Sequence, residues 1–121
     1  MAKKILIAED DQPMARALEL KLKKEGFDVK VAANGEEAVK FIEAEKFDLV
    51  LMDLMMPKKD GFGVLEDLKA KGITVPIIIT SNLSQEEDKR KTKELGAQDF
   101  LVKSDTSIIE IVQKVKAAVE K

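Results

Sequence analysis

Lys4-Ile5-Leu6-Ile7-Ala8 runs without a break into Glu9-Asp10-Asp11, and Leu49-Val50-Leu51-Met52 runs in the same way into Asp53. Short apolar runs with no polar alternation are how strands covered on both faces read. Working outward, Ile77-Ile78-Ile79 leads into Thr80 and Phe100-Leu101-Val102 into Lys103. Strands at 4–8, 48–52 and 74–80 are thus expected at the centre of a sheet. Residues 27–31 alternate and suit an edge, and the short run 99–102 suits the other edge. Helical patterns separate the strands, which predicts an α/β domain with a parallel sheet. In such a sheet the carboxyl ends of the strands share one edge, where ligands bind. Glu9, Asp10, Asp53, Thr80 and Lys103 would be neighbours there.

With 121 residues, the span 1–121 reads as a single domain. The formal charge is −2, with 21 basic residues interspersed among 23 acidic ones, so direct nucleic-acid binding is not expected. Cysteine and histidine are absent, which removes disulfides, thiol chemistry and imidazole acid–base chemistry. Any reaction falls to carboxylates, hydroxyls and lysine. No apolar stretch approaches the roughly 20 residues that span a bilayer, and the start lacks a signal-peptide core. The expectation is a soluble, cytoplasmic protein with no membrane partner.

The first helix carries Pro13 in its first turn, Met14, Leu18 and Leu22 on its inward face, and Gly26 to end it. Asn34 is expected to cap the second, burying Ala38, Phe41 and Ile42, and the third follows Gly61 with Val64, Leu65 and Leu68 inward. The fifth repeats Ile108, Ile111, Val112, Val115 and Val119, with Ser107 (facing Glu110) and Thr106 as competing caps. The fourth, at 84–95, offers a core only Leu95 and the Thr92 methyl. A Ser84–Glu87 capping box and the pairs Glu86–Arg90 and Glu87–Lys91 would support it. Packing holds such a helix weakly, so it is expected to be the least protected and to sample more than one orientation.

Taken singly, the strand-end residues have ordinary explanations: Asp11 or Gln12 as a helix cap, Asp53 as a loop acid before Pro57, Thr80 bonded to its own loop, Lys103 solvated. Their combination does not. Like charges so crowded need a cation or a lysine to offset them. Phosphoryl transfer onto a carboxylate uses such a set: Mg2+ prefers one or two carboxylates plus phosphate oxygens, and Asp10 and Asp53 fit that role. An aspartate can be the nucleophile, while Lys103, Thr80 and the cation neutralise the three equatorial oxygens.

Over essentially its whole length the chain resembles the receiver domains of two-component response regulators. The matching stretches are Ile5 to Asp11, Leu51 to Pro57 (Leu-Met-Asp-Leu-Met-Met-Pro), Asp60-Gly61, Thr80, and Phe100-Leu101-Val102-Lys103. The resemblance implies a doubly wound, flavodoxin-like (α/β)5 fold with strand order 2-1-3-4-5. It implies phosphorylation at Asp53 by a sensor histidine kinase or phosphotransfer protein, with Mg2+ held by Glu9, Asp10, Asp53 and the backbone carbonyl of Met55. Thr80 resembles the hydroxyl residue that moves toward the phosphoryl group, and Phe100 the aromatic switch that follows it. The surface presented to a downstream protein would be the fourth helix, fifth strand and fifth helix, and a phosphorylation-dependent dimer is compatible with this. Such a domain assists its own phosphorylation and dephosphorylation without being a conventional enzyme; Met55 and Asn82 hold positions that tune the hydrolysis. No output domain follows the fifth helix, which leaves a stand-alone relay or chemotaxis-type regulator, or an excised domain.

Two departures stand out. Ser104 follows Lys103 where the family usually has a cis proline, and a cis bond without proline costs about 3 to 4 kcal/mol, so a trans peptide and a differently bent loop are expected. Phe100 lacks the hydroxyl of a tyrosine, leaving ring burial as its only signal. Met52, Met55 and Met56 read as adaptable packing around the loop. Three other functions fit less well. An aspartyl-phosphate phosphatase of the haloacid dehalogenase type needs an acid where Met55 stands. A flavodoxin-like cofactor site would meet repulsion from Glu9-Asp10-Asp11. An unphosphorylated interaction module would usually have lost an acid or the lysine.

Overall fold

The computed structural model describes residues 2–83 and 85–120. In chain order the elements are β1 (Lys4–Ala8), α1 (Gln12–Lys24), β2 (Asp28–Ala32), α2 (Gly35–Ala44), β3 (Leu49–Asp53), α3 (Gly61–Ala70), β4 (Ile77–Ser81), α4 (Glu86–Glu94), β5 (Asp99–Val102) and α5 (Ile108–Val119), with one 3-10 turn at Lys103–Asp105. The strands form one parallel sheet in the order β2-β1-β3-β4-β5. This is the doubly wound, flavodoxin-like arrangement expected.

The two-residue period of a strand distributes the central side chains between two layers. Ile5 and Ile7 of β1, Leu49 and Leu51 of β3 and Ile78 of β4 meet α1 and α5 through Leu18, Leu22, Ile111 and Val115. Leu6, Ala8, Val50, Met52, Ile77 and Ile79 point the other way, onto Ala38, Ile42, Val64, Leu65 and Leu68 of α2 and α3. At the β2 edge Asp28 and Lys30 are exposed while Val29 and Val31 are half-buried, the alternation of a one-sided strand.

Strand four begins later than the sequence pattern suggests. Pro76 accepts a ladder bond from the Val50 N–H at 2.9 Å but has no N–H to return, so the strand starts at Ile77. Strands two and three each run one residue further along than expected, ending on Ala32 and Asp53.

The caps follow side-chain chemistry. Asp11 accepts from the Met14 N–H at 3.3 Å, Asn34 from Glu37 at 2.9 Å and Asp60 from Gly63 at 2.8 Å. For α5, Ser107 and Glu110 form a reciprocal capping box, which settles its start against Thr106. On α2, Val39 is buried while Phe41 is only half-buried, its ring lying under the Lys30 ammonium at 4.6 Å.

On α4, Thr92 is the only buried residue, its hydroxyl donating to the Lys89 carbonyl at 2.9 Å. The Ser84–Glu87 capping box lies outside the described residues. The pairs expected at Glu86–Arg90 and Glu87–Lys91 are absent among the described residues: Glu86 faces Lys89 at 3.7 Å, Arg90 faces Glu94 at 3.4 Å, and Lys91 lies 4.6 Å from the Phe62 ring of α3. A cation over a ring competes with an exposed carboxylate because neither contact is worth more than about 1 kcal/mol in water.

Candidate functional site

Asp53 ends β3 and lies in register with Thr80 on β4. Glu9 follows β1, its N–H bonded to the Ala32 carbonyl at 3.0 Å, and Lys103 follows β5. The sheet thus brings the sequence-predicted residues Glu9, Asp10, Asp53 and Lys103 to one edge. The Lys103 Nζ lies 3.0 Å from Asp53 Oδ2 and also pairs with Glu9 Oε1. Glu9 and Asp53 are 3 % and 5 % exposed, respectively, so these carboxylates are largely cut off from water. Asp10 is exposed. One carboxylate oxygen from each of Glu9, Asp10 and Asp53 lies within 4.8 Å of the others.

Remaining lone pairs are met locally in part. Asp53 Oδ1 accepts from the Met55 N–H at 3.2 Å and Glu9 Oε2 from the Asp11 N–H at 3.3 Å. The Lys103 ammonium donates to Glu9 Oε1. Burial pushes the Glu9 carboxyl up from its ordinary 4.5 to about 7; the Lys103 ammonium opposes this and Asp53 adds to it. For Lys103, burial works against the charge, yet its bonds to Glu9 and Asp53 outweigh that and raise its pKa.

The carboxylates of Glu9, Asp10 and Asp53 converge where the Lys103 ammonium offsets only one negative charge, which leaves a negative excess among the described residues. An all-oxygen donor set of this kind fits a hard divalent cation such as Mg2+.

The loop from Asp53 to α3 is closely tied. The Gly61 N–H donates to the Leu54 carbonyl at 2.8 Å, and a side chain at Gly61 would sit 2.9 Å from the Asp53 carbonyl oxygen. Lys58 has φ 68° and is spanned by a 2.7 Å bond from the Lys59 N–H to the Pro57 carbonyl, a γ-turn. Met52 and Met56 are buried as expected, but Met55 is 60 % exposed and lies outside both core clusters; it follows Leu54, which takes the inward place. The Lys103–Ser104 peptide is trans and opens the 3-10 turn. Phe100 is half-buried and borders a cleft beneath α4 together with Lys89, Thr92 and Ala97.

Gly35 and Lys59 are not singled out by the strand-end argument, yet both bear on this loop: Lys59 pairs with Asp67 of α3, and Gly35 abuts the Lys59 backbone. Their only sequence signal is a glycine at the first position of a helix, where a better helix former would normally serve.

The sequence pattern of the response regulator receiver domain matches residues 5–116. The chain belongs to that family. Among solved structures it is similar to the receiver domain of the Francisella response regulator 1452, at 34 % identity and a TM-score of 0.91, covering 98 % of this chain and 97 % of that one. It is also similar to the BeF3-activated N-terminal receiver domain of RstA from Klebsiella pneumoniae, at 30 % identity and a TM-score of 0.87, covering 98 % and 100 %. A CheY-like receiver protein from Methanospirillum hungatei matches at 26 % identity and a TM-score of 0.90, covering 99 % and 95 %. Membership implies phosphorylatable two-component signalling with a histidine kinase or phosphotransfer partner. No helix among the described residues is long and apolar enough to cross a membrane.

Proposed function

We propose that this receiver domain takes a phosphoryl group onto Asp53 from the phosphohistidine of a kinase or phosphotransfer protein, in a Mg2+-dependent reaction in the cytoplasm. The observation that carries the reading is the placement of Lys103 Nζ 3.0 Å from Asp53 Oδ2, with Thr80 in register beside it. An Asp53 oxygen forms the new bond to phosphorus while the phosphorus–nitrogen bond breaks and its electron pair returns to the imidazole of the donor. Lys103 stays protonated and neutralises one equatorial oxygen, and the Thr80 hydroxyl donates to another. Glu9, Asp10, Asp53 and the Met55 carbonyl would hold the cation, which supplies charge neutralisation on the phosphoryl oxygens when bound.

Phosphorylation shifts the partner surface of α4, β5 and α5 through Thr80 and Phe100, with no catalysis of an external substrate. The phosphatase alternative is disfavoured by the thioether of Met55, which cannot serve as a general acid. The test is incubation with acetyl phosphate and Mg2+: the intact protein should gain one phosphoryl mass, and neither Asp53→Asn nor metal-chelated wild type should. An Asp53→Asn variant that is phosphorylated at the wild-type rate overturns the assignment.

A further inference from the structure

Gly35 opens α2 with an ordinary backbone conformation, outside the left-handed region, so neither a turn nor a positive φ calls for glycine. Space does. A Cβ at Gly35 would lie 2.0 Å from the Lys59 carbonyl oxygen, 2.7 Å from its carbon and 2.8 Å from Lys59 Cβ, against 3.4–4 Å for ordinary contact. Two of these atoms are backbone and the third, Cβ, is fixed to it, so none can swing aside as the far end of a side chain would.

Lys59 has little room to retreat. Its ammonium is tied to Asp67 on α3, and its stem covers Gly63, where a Cβ would meet Lys59 Cγ at 2.9 Å. The far end of the loop is fixed by the Gly61 N–H on the Leu54 carbonyl. A displaced Lys59 therefore passes its displacement back through the Lys58 γ-turn into residues 54–57, which follow Asp53 and include Met55.

We propose that Gly35 is a positioning residue for the cation site, its missing side chain letting the β2–α2 corner set the loop that follows Asp53. The inference rests on the Mg2+ role proposed above. Mg2+ demands near-ideal octahedral geometry, so a small shift of the loop is felt as lost affinity. Residues that orient metal ligands without touching the ion typically change affinity by about 10- to 100-fold when altered.

The test is a Mg2+ titration of isotope-labelled protein followed at the Asp53 and Met55 amides. Gly35→Ala should weaken the dissociation constant by about tenfold. Its phosphorylation by acetyl phosphate should be restored at saturating Mg2+. Asn34→Ala removes the cap on Glu37 in the same corner without placing an atom against Lys59, and should bind Mg2+ as the wild type does. In the wild type the Gly35 amide should shift with the same dissociation constant as Asp53, while Gly72 and Gly96 stay still; this decides the matter even if Gly35→Ala fails to fold. A Gly35→Ala variant with wild-type affinity, or a Gly35 amide that ignores Mg2+, overturns the positioning role alone. A wild type that does not respond to Mg2+ at all overturns this role and the proposed function together.

Discussion

Lys103 and Glu9 form a charge pair at the edge of the sheet in which the acid is almost wholly buried and the same ammonium also holds Asp53. One cation shared between two buried carboxylates under-compensates both, and Asp10 adds a third negative charge nearby. The domain therefore carries electrostatic strain at this edge that a divalent cation would relieve.

The strain has a defined pH dependence. Glu9 is raised from 4.5 to about 7 in the folded protein, so between these values the unfolded chain releases a proton that the folded one retains. Stability without Mg2+ should be highest below about pH 4.5 as far as this group is concerned, fall as pH rises, and level off above about 7, a loss on the order of 3 kcal/mol. Urea unfolding of wild type and Glu9→Gln across this range measures it. The Glu9→Gln curve should be flatter, and saturating Mg2+ should stabilise wild type increasingly as pH rises, because the cation competes with the proton. Parallel curves for the two proteins would contradict the assignment of the strain to Glu9.

Asp10 is exposed, so Asp10→Ala should relieve less strain than Glu9→Gln in the metal-free protein. It should nevertheless abolish most of the stabilisation by Mg2+. A thermal melt with and without the ion distinguishes these, and an Asp10→Ala variant that gains as much from Mg2+ as wild type would count against a cation ligand there.

Removing Lys103 leaves Glu9 and Asp53 buried without their counter-ion. Lys103→Met should therefore cost about 3 kcal/mol in metal-free unfolding experiments near neutral pH, where breaking a buried pair leaves an uncompensated charge. The loss should shrink at low pH as Glu9 takes up its proton. A cost below about 0.5 kcal/mol, typical of surface substitutions, would show that water screens the cluster.

Helix α4 buries only Thr92, and its Lys91 rests on the Phe62 ring at 4.6 Å. Amide hydrogen exchange should find residues 86–94 the least protected of the helices, and Phe62→Ala should raise their exchange further by removing the platform. Protection equal to that of α5 would mean that contacts other than apolar burial anchor the helix.

The fold was legible because each central strand carries its evidence within five adjacent residues, and because Glu9, Asp53 and Lys103 immediately follow or end those runs. What could not be read depends on contacts between distant segments. Sequence places Glu9 and Asp10 side by side, but only the closeness of β1, β3 and the Lys103 loop makes Glu9 the buried member. The Gly35–Lys59 contact joins two loops with no shared spacing, and the choice of Lys91 between Glu87 and Phe62 is a contest of small energies. Pro76, by contrast, was visible and marks the start of β4 through its missing donor.

Phosphorylation at Asp53 can be located chemically. After reaction with acetyl phosphate and Mg2+, reduction with borohydride converts an aspartyl phosphate to homoserine, and peptide sequencing by mass spectrometry then locates it. Homoserine should appear at position 53, dependent on Mg2+ and absent from untreated protein. Homoserine at position 10 or 11, or none in a wild type that has gained a phosphoryl group, would contradict it.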